Sequence, residues 1–92
     1  MKPGINIFYL SENTYKVVVK DDVETTHYVS IDDTDHERFT KKKETKRNLV
    51  MFAFKFLLER EKNTSILPKF VVSIICDFFP EFEKEALHWA GK

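Results

Sequence analysis

The densest group of side chains able to do chemistry is Asp32-Asp33-Thr34-Asp35-His36. It has neither the central glycine nor the closing glutamate of a calcium-binding loop. Its residue types suit the start of a helix, where a side-chain oxygen caps open N–H groups and acids face the positive dipole end. His27 alternates with Val29 toward the expected core and reads as a hydrogen-bonded structural histidine. His88 falls where a last helical turn would place a cation. His27, His36 and His88 show no ligand spacing. Cys76, in Ile74-Ile75-Cys76-Asp77-Phe78, lacks the electropositive setting of a reactive thiol and reads as a small buried hydrophobe. The two glycines, Gly4 and Gly91, form no phosphate-cradling loop. No catalytic constellation emerges, so the chain reads as a non-enzyme requiring no cofactor and no metal.

Charge offers a second possibility. Lys41, Lys42, Lys43, Lys46 and Arg47 cluster within seven residues. Residues 38–62 hold nine basic and three acidic groups, whereas residues 21–37 hold seven acids and no Lys or Arg. This segregation persists although fifteen Lys plus Arg balance fifteen Asp plus Glu over the whole chain. Zero net charge excludes the overall basic footprint of a dedicated nucleic-acid binder. The stretch Lys41–Arg47 is therefore read first as a solvated connection, and alternatively as a patch for weak phosphate or nucleic-acid binding. A helix-turn-helix reading of residues 44–79 fails, because its recognition helix would be mostly Val, Ile and Phe. Arg60 projects into the apolar arc of its helix. Its five-donor head is suited to clamp the carbonyls of Asn63-Thr64-Ser65, or Glu81 or Glu83.

These groups need elements to position them. Thr14 to Lys20 and Val23 to Ile31 alternate as two antiparallel strands across Asp21-Asp22, with Tyr15, Val17 and Val19 on one face of the first, Lys16 and Lys20 on its other face, and Val23, His27, Val29 and Ile31 together on the second. Ile5 to Leu10 reads as a third strand. Residues 32–40 predict a short helix and residues 44–62 a long central one. The polar side of that helix is only Asn48, Lys55, Glu59 and Lys62, so it requires cover on more than one side. Residues 69–79 predict a helix stopped by Pro80, and residues 80–90 a final helix presenting Phe82, Ala86, Trp89 and Ala90, closed by Gly91.

The pattern Phe56-Leu57-Leu58-Glu59-Arg60-Glu61, Asn63-Thr64-Ser65-Ile66-Leu67 and Phe79-Pro80-Glu81-Phe82-Glu83 resembles a small family of uncharacterised prokaryotic proteins. The resemblance runs from Thr26-His27 and Val29 onward and includes Phe70. It implies a short hairpin, a long helix and a closing segment, and it implies no activity. Family members often place an Asp helix cap where this chain has Val71.

The expected fold class is α+β, a single domain of residues 1–92. Two or three antiparallel strands pack on a long central helix that two shorter C-terminal helices close. A mostly helical domain with a detached hairpin is the alternative. Hydrophobic residues at 42% supply a core and exclude intrinsic disorder. One cysteine excludes an internal disulfide framework. The N-terminal run Met1 to Leu10 lacks a leader's cleavage site, and the most apolar stretch, Leu49 to Leu58, falls short of the roughly 20 residues of a membrane span. A cytoplasmic protein that does not enter a membrane is expected. Its expected role is a non-catalytic protein-interaction module, self-associating as a two-fold homodimer. The apolar helix surface exceeds what so short a chain can cover, and Phe54, Leu58, Phe78, Phe79 and Trp89 are the candidate interface.

Overall fold

The computed structural model describes residues 3–92, so Met1 and Lys2 of the N-terminal run read against a leader lie outside the described residues. The fold is α+β. Strands β1 (Gly4–Ser11), β2 (Thr14–Lys20) and β3 (Glu24–Ser30) form an antiparallel meander. Ile7, Tyr15, Val17, Val19, His27 and Val29 are buried on one face, as strict alternation of side chains across a strand requires. The turn between β2 and β3 is one residue longer than Asp21-Asp22, so Val23 lies in the turn and is exposed instead of joining His27, Val29 and Ile31 on the buried side.

A fourth strand departs from the sequence expectation. Residues 69–79 are not one helix: β4 (Lys69–Val71) pairs parallel with β3, and a turn of 3-10 helix, Val72–Ile74, leads into the short α3 (Ile75–Phe78). Pro68 biases the preceding residue toward extended backbone, and the aromatic and β-branched run Phe70-Val71-Val72 favours the strand. The Tyr28 N–H donates to the Pro68 carbonyl at 2.8 Å, which starts the ladder. The sheet is thus mixed, in the order β1-β2-β3-β4. Parallel neighbours need a long connection. Here it contains α1 (Asp33–Thr40) and α2 (Lys46–Leu58).

Asp32 caps α1 by accepting the Asp35 N–H at 2.7 Å, and Thr45 caps α2 by accepting the Asn48 N–H at 3.0 Å. That second cap places Glu44 and Thr45 outside the helix. At the other end α2 stops at Leu58 rather than Lys62, because residues 59–62 must turn Asn63 inward. The Asn63 amide donates to the Val23 carbonyl at 2.7 Å and the Thr25 hydroxyl at 2.9 Å. Pro80 and Glu81 form a turn, and α4 (Phe82–Ala90) begins two residues later than expected. It buries Phe82, Ala86 and Ala90 as one stripe. Gly91 ends it with φ −87°, without the left-handed backbone that would require glycine. Left-handed residues instead follow α1: Lys41 (φ 51°) and Lys42 (φ 60°). Lys41 N–H to the Glu37 carbonyl (2.7 Å) and Lys42 N–H to the Thr40 hydroxyl (3.0 Å) hold them there. Among the described residues no helix is long and apolar enough to cross a membrane.

Asn63→Ala removes both donors from a buried site and strands the Val23 carbonyl. Chemical denaturation is expected to show a loss of about 1–3 kcal/mol. A loss below about 0.5 kcal/mol, the level of an ordinary surface change, would contradict this role for the side chain.

Candidate functional site

The basic stretch is divided by the fold. Lys46 Nζ donates to Asp33 Oδ1 at 2.7 Å and to Asn13 Oδ1 at 2.6 Å, tying α2 to α1 and the β1–β2 turn. Its hydrogen bond and attraction to Asp33 hold the ammonium above, and the Asp33 carboxyl below, their ordinary ranges. Lys46 is thereby withdrawn from the patch. Lys41, Lys42, Lys43 and Arg47 remain exposed.

Arg60 lies half-buried with its guanidinium over the Phe56 ring, 3.5 Å from the centroid. Nη1 donates to the Phe56 carbonyl at 3.0 Å, Nε reaches Glu81 at 3.4 Å and Nη2 reaches Glu85 at 3.2 Å. The arginine joins the end of α2 to α4 and the turn before it. The carbonyls of residues 63–65 are not its partners, and Glu83 belongs to Arg38, at 2.7 Å.

The five apolar candidates do not form one surface. Phe54 is fully buried, its ring 5.3 Å from His27 and 6.0 Å from Phe70, and so belongs to the core rather than an interface. Trp89 stacks on Phe52 at 4.6 Å, in an open cleft between α2 and α4 edged by Glu44, Lys55 and Glu59. Leu58 is half-buried against the core. Phe78 and Phe79 lie elsewhere, on a cleft of about 150 Å³ formed with Leu57, Ile66, Phe70 and Ile75. Phe79 is half-buried there, and Phe78 is 63% exposed.

His27 is buried with both nitrogens occupied, Nδ1 by the Leu67 carbonyl and Nε2 by the Thr25 hydroxyl, each at 2.8 Å. The carbonyl can only accept, so Nδ1 carries a proton and the threonine hydroxyl donates to Nε2. His36 donates through Nε2 to the Glu44 carbonyl, fixing the α1–α2 connection. Cys76 is half-buried rather than fully enclosed, with Arg38 Nη2 3.9 Å from its sulfur. Burial pushes its thiol up against the pull of Arg38, which disfavours the nucleophilic thiolate. Among the described residues no three His, Cys, Asp or Glu side chains converge as a metal site.

Sequence reading put Lys16 and Lys20 on the other face of the sheet but missed the row that forms there. The register aligns Phe8, Lys16, Tyr28 and Lys69 in one row across all four strands. Lys20 and Val71 share that face, as do Asn6, Val18 and Thr26. Phe8 (50%) and Tyr28 (41%) are exposed, so no helix covers the row. Lys16 Nζ sits 5.8 Å from the Phe8 ring centroid. The signal lies in the even-numbered positions of β1, β2 and β3, which alternate with the buried Ile7, Tyr15, Val17, Val19, His27 and Val29.

Comparison with protein-family models, curated proteins and solved structures gives no match.

Two outcomes follow from these pairings. Arg60→Ala is expected to cost about 1–2 kcal/mol in chemical denaturation, combining the lost ring stacking with half-exposed ion pairs. Arg60→Lys should recover less than half of this, because an ammonium cannot stack and fork together. Full recovery by lysine would reduce the clamp to simple charge. For Asp35, burial and the nearby Asp32 raise the carboxyl pKa, against the pull of Arg38 and Ser73. A carboxyl raised in the folded state stabilises below its ordinary 3.8 and loses that contribution as pH rises through the folded value. Asp35→Asn should therefore raise Tm at neutral pH by about 2–4 °C, roughly half a kcal/mol after allowance for solvent screening. The difference should close as melts are taken down to about pH 3, where the wild-type carboxyl is protonated. A gap that widened on acidification would reverse the assignment.

Proposed function

We propose that this chain is a non-catalytic interaction module that works as a two-fold pair, joined through the cleft beside α3. The observation carrying this reading is the exposed Phe78 side chain on the lip of an apolar cleft lined by Leu57, Ile66, Phe70, Ile75 and Phe79. One patch supplies both a protruding ring and an apolar recess, as a self-complementary two-fold contact requires. Leu67, 43% exposed, adds apolar surface to the cleft wall. Glu61 is the charged residue on the cleft wall, so an apolar insertion meets little opposition there. The interface is smaller than the sequence suggested, because Phe54 lies in the core and Trp89 faces the α2–α4 cleft.

The basic stretch supports a nucleic-acid reading less well, since Lys46 is engaged with Asp33 and Asn13.

Light scattering after size exclusion tests the pair. At micromolar concentration the expected mass is twice the 10.9 kDa of one chain. Phe78→Glu should weaken the dimer by about tenfold or more, the effect of removing a central aromatic anchor. Its exposure means that folding should be retained. A wild-type mass of 10.9 kDa, or a dimer indifferent to Phe78→Glu, would exclude this interface.

A further inference from the structure

We infer that the uncovered face of the sheet binds single-stranded nucleic acid, with bases stacked on Phe8 and Tyr28 and phosphates held by Lys16 and Lys69. The observation is the row itself, which reads ring, ammonium, ring, ammonium across β1, β2, β3 and β4. Neighbouring strands lie about 4.8 Å apart, so the two rings are separated by about 10 Å and the row spans about 14 Å. An extended single strand presents the same alternation, a flat uncharged base and then a charged phosphate. Stacking on exposed rings within a positively charged groove is how such strands are held without sequence readout.

Charge selects this occupant over a second copy of the chain. The face carries Lys16, Lys20 and Lys69 against Glu24, so pressing it against itself would dehydrate ammonium groups with too few partners. A polyanion supplies those partners. The remaining polar side chains of the face, Asn6, Thr14, Thr26 and Ser30, can hydrogen-bond a base edge or a sugar. Asp21 and Asp22 stand with Glu24 at the Lys20 end. That acidic end directs the strand across the sheet, along the Phe8–Lys69 row, rather than lengthwise down the hairpin. The surface is separate from the Phe78 cleft and does not require dimerisation.

The test is fluorescence anisotropy with a labelled oligouridylate at low salt, using the full chain. Binding is expected, with Phe8→Ala and Tyr28→Ala each weakening it by about tenfold. Both rings are exposed, so each alanine variant should melt within a few degrees of wild type, and the lost affinity then reports on stacking and not on folding. Replacing Lys16 and Lys69 together by Gln should lower the salt dependence by about 1.4 in log–log slope, about 0.7 for each phosphate left without its ammonium. The inference is overturned by an absence of binding or by binding that ignores Phe8 and Tyr28. Weakening confined to Gln variants of Lys41, Lys42 and Lys43 would move the anion to the α1–α2 connection. Equal affinity for duplex would reduce the effect to backbone charge, and competition by oligoglutamate at equal strength would replace the nucleic acid with an acidic protein.

Discussion

The path of the chain after α2 depends on one buried imidazole. His27 lies beneath Phe54 on the central strand β3, and its Nδ1 donates to the Leu67 carbonyl at 2.8 Å. Asn63 donates to Thr25, and the Thr25 hydroxyl occupies the remaining imidazole nitrogen. Three side chains from two segments thus form a relay in which each donor meets one acceptor. Among the described residues no buried side-chain nitrogen or oxygen lacks a partner. Such a network is stable only when complete, because one missing partner strands a polar group in a medium that cannot solvate it. Completion fixes where residues 63–67 cross β3, and hence where Pro68 releases the chain to run parallel beside it.

Both candidate surfaces descend from that placement. With β4 docked, Phe70 enters the core against Phe54, and its flanking residues Lys69 and Val71 face outward. Lys69 completes the row on the open face, and Phe70 forms one wall of the Phe78 cleft. The docking of α4 is built differently. Phe39, Phe52 and Phe56 meet Phe82 with ring centroids 5.0–5.9 Å apart, which holds α4 across α1 and α2. Arg60 and Arg38 then fasten the carboxylates of α4 from above. Aromatic packing supplies the area there, and the arginines set the register.

Much of this is legible in residue types alone. The β2–β3 hairpin, the capping role of Asp32, the structural role of His27 and the stripe Phe82, Ala86, Ala90 all follow from local alternation or spacing. What escapes is non-local. Residues 69–79 carry an apolar run that periodicity cannot divide between helix and strand, and a parallel partner far away in sequence decides it. The end of α2 is overestimated for a related reason: Glu59 to Lys62 have good helical propensity, but the burial of Asn63 overrides it. The wide apolar arc on α2 does signal a need for cover. The cover comes from within the chain, from α4, the sheet and β4, and so Phe54 goes to the core. For the surfaces, the strand alternation identifies one face as core and draws attention away from the other.

The zero net charge of the chain conceals how differently its two open surfaces are composed. The Phe78 cleft is lined mostly by apolar side chains, with Glu61 and Ser65 at its wall, so water is displaced there most favourably by another apolar surface. On the sheet face every exposed ring of the row has an ammonium as its cross-strand neighbour. Lysine placed this way blunts edge-to-edge and face-to-face association of strands, since self-contact would bury like charges together. The same spacing leaves each ring accessible and gives the row from Phe8 to Lys69 one sign. The two proposed sites thus call for partners of different chemistry, and the cleft lining and the sheet row share no residue.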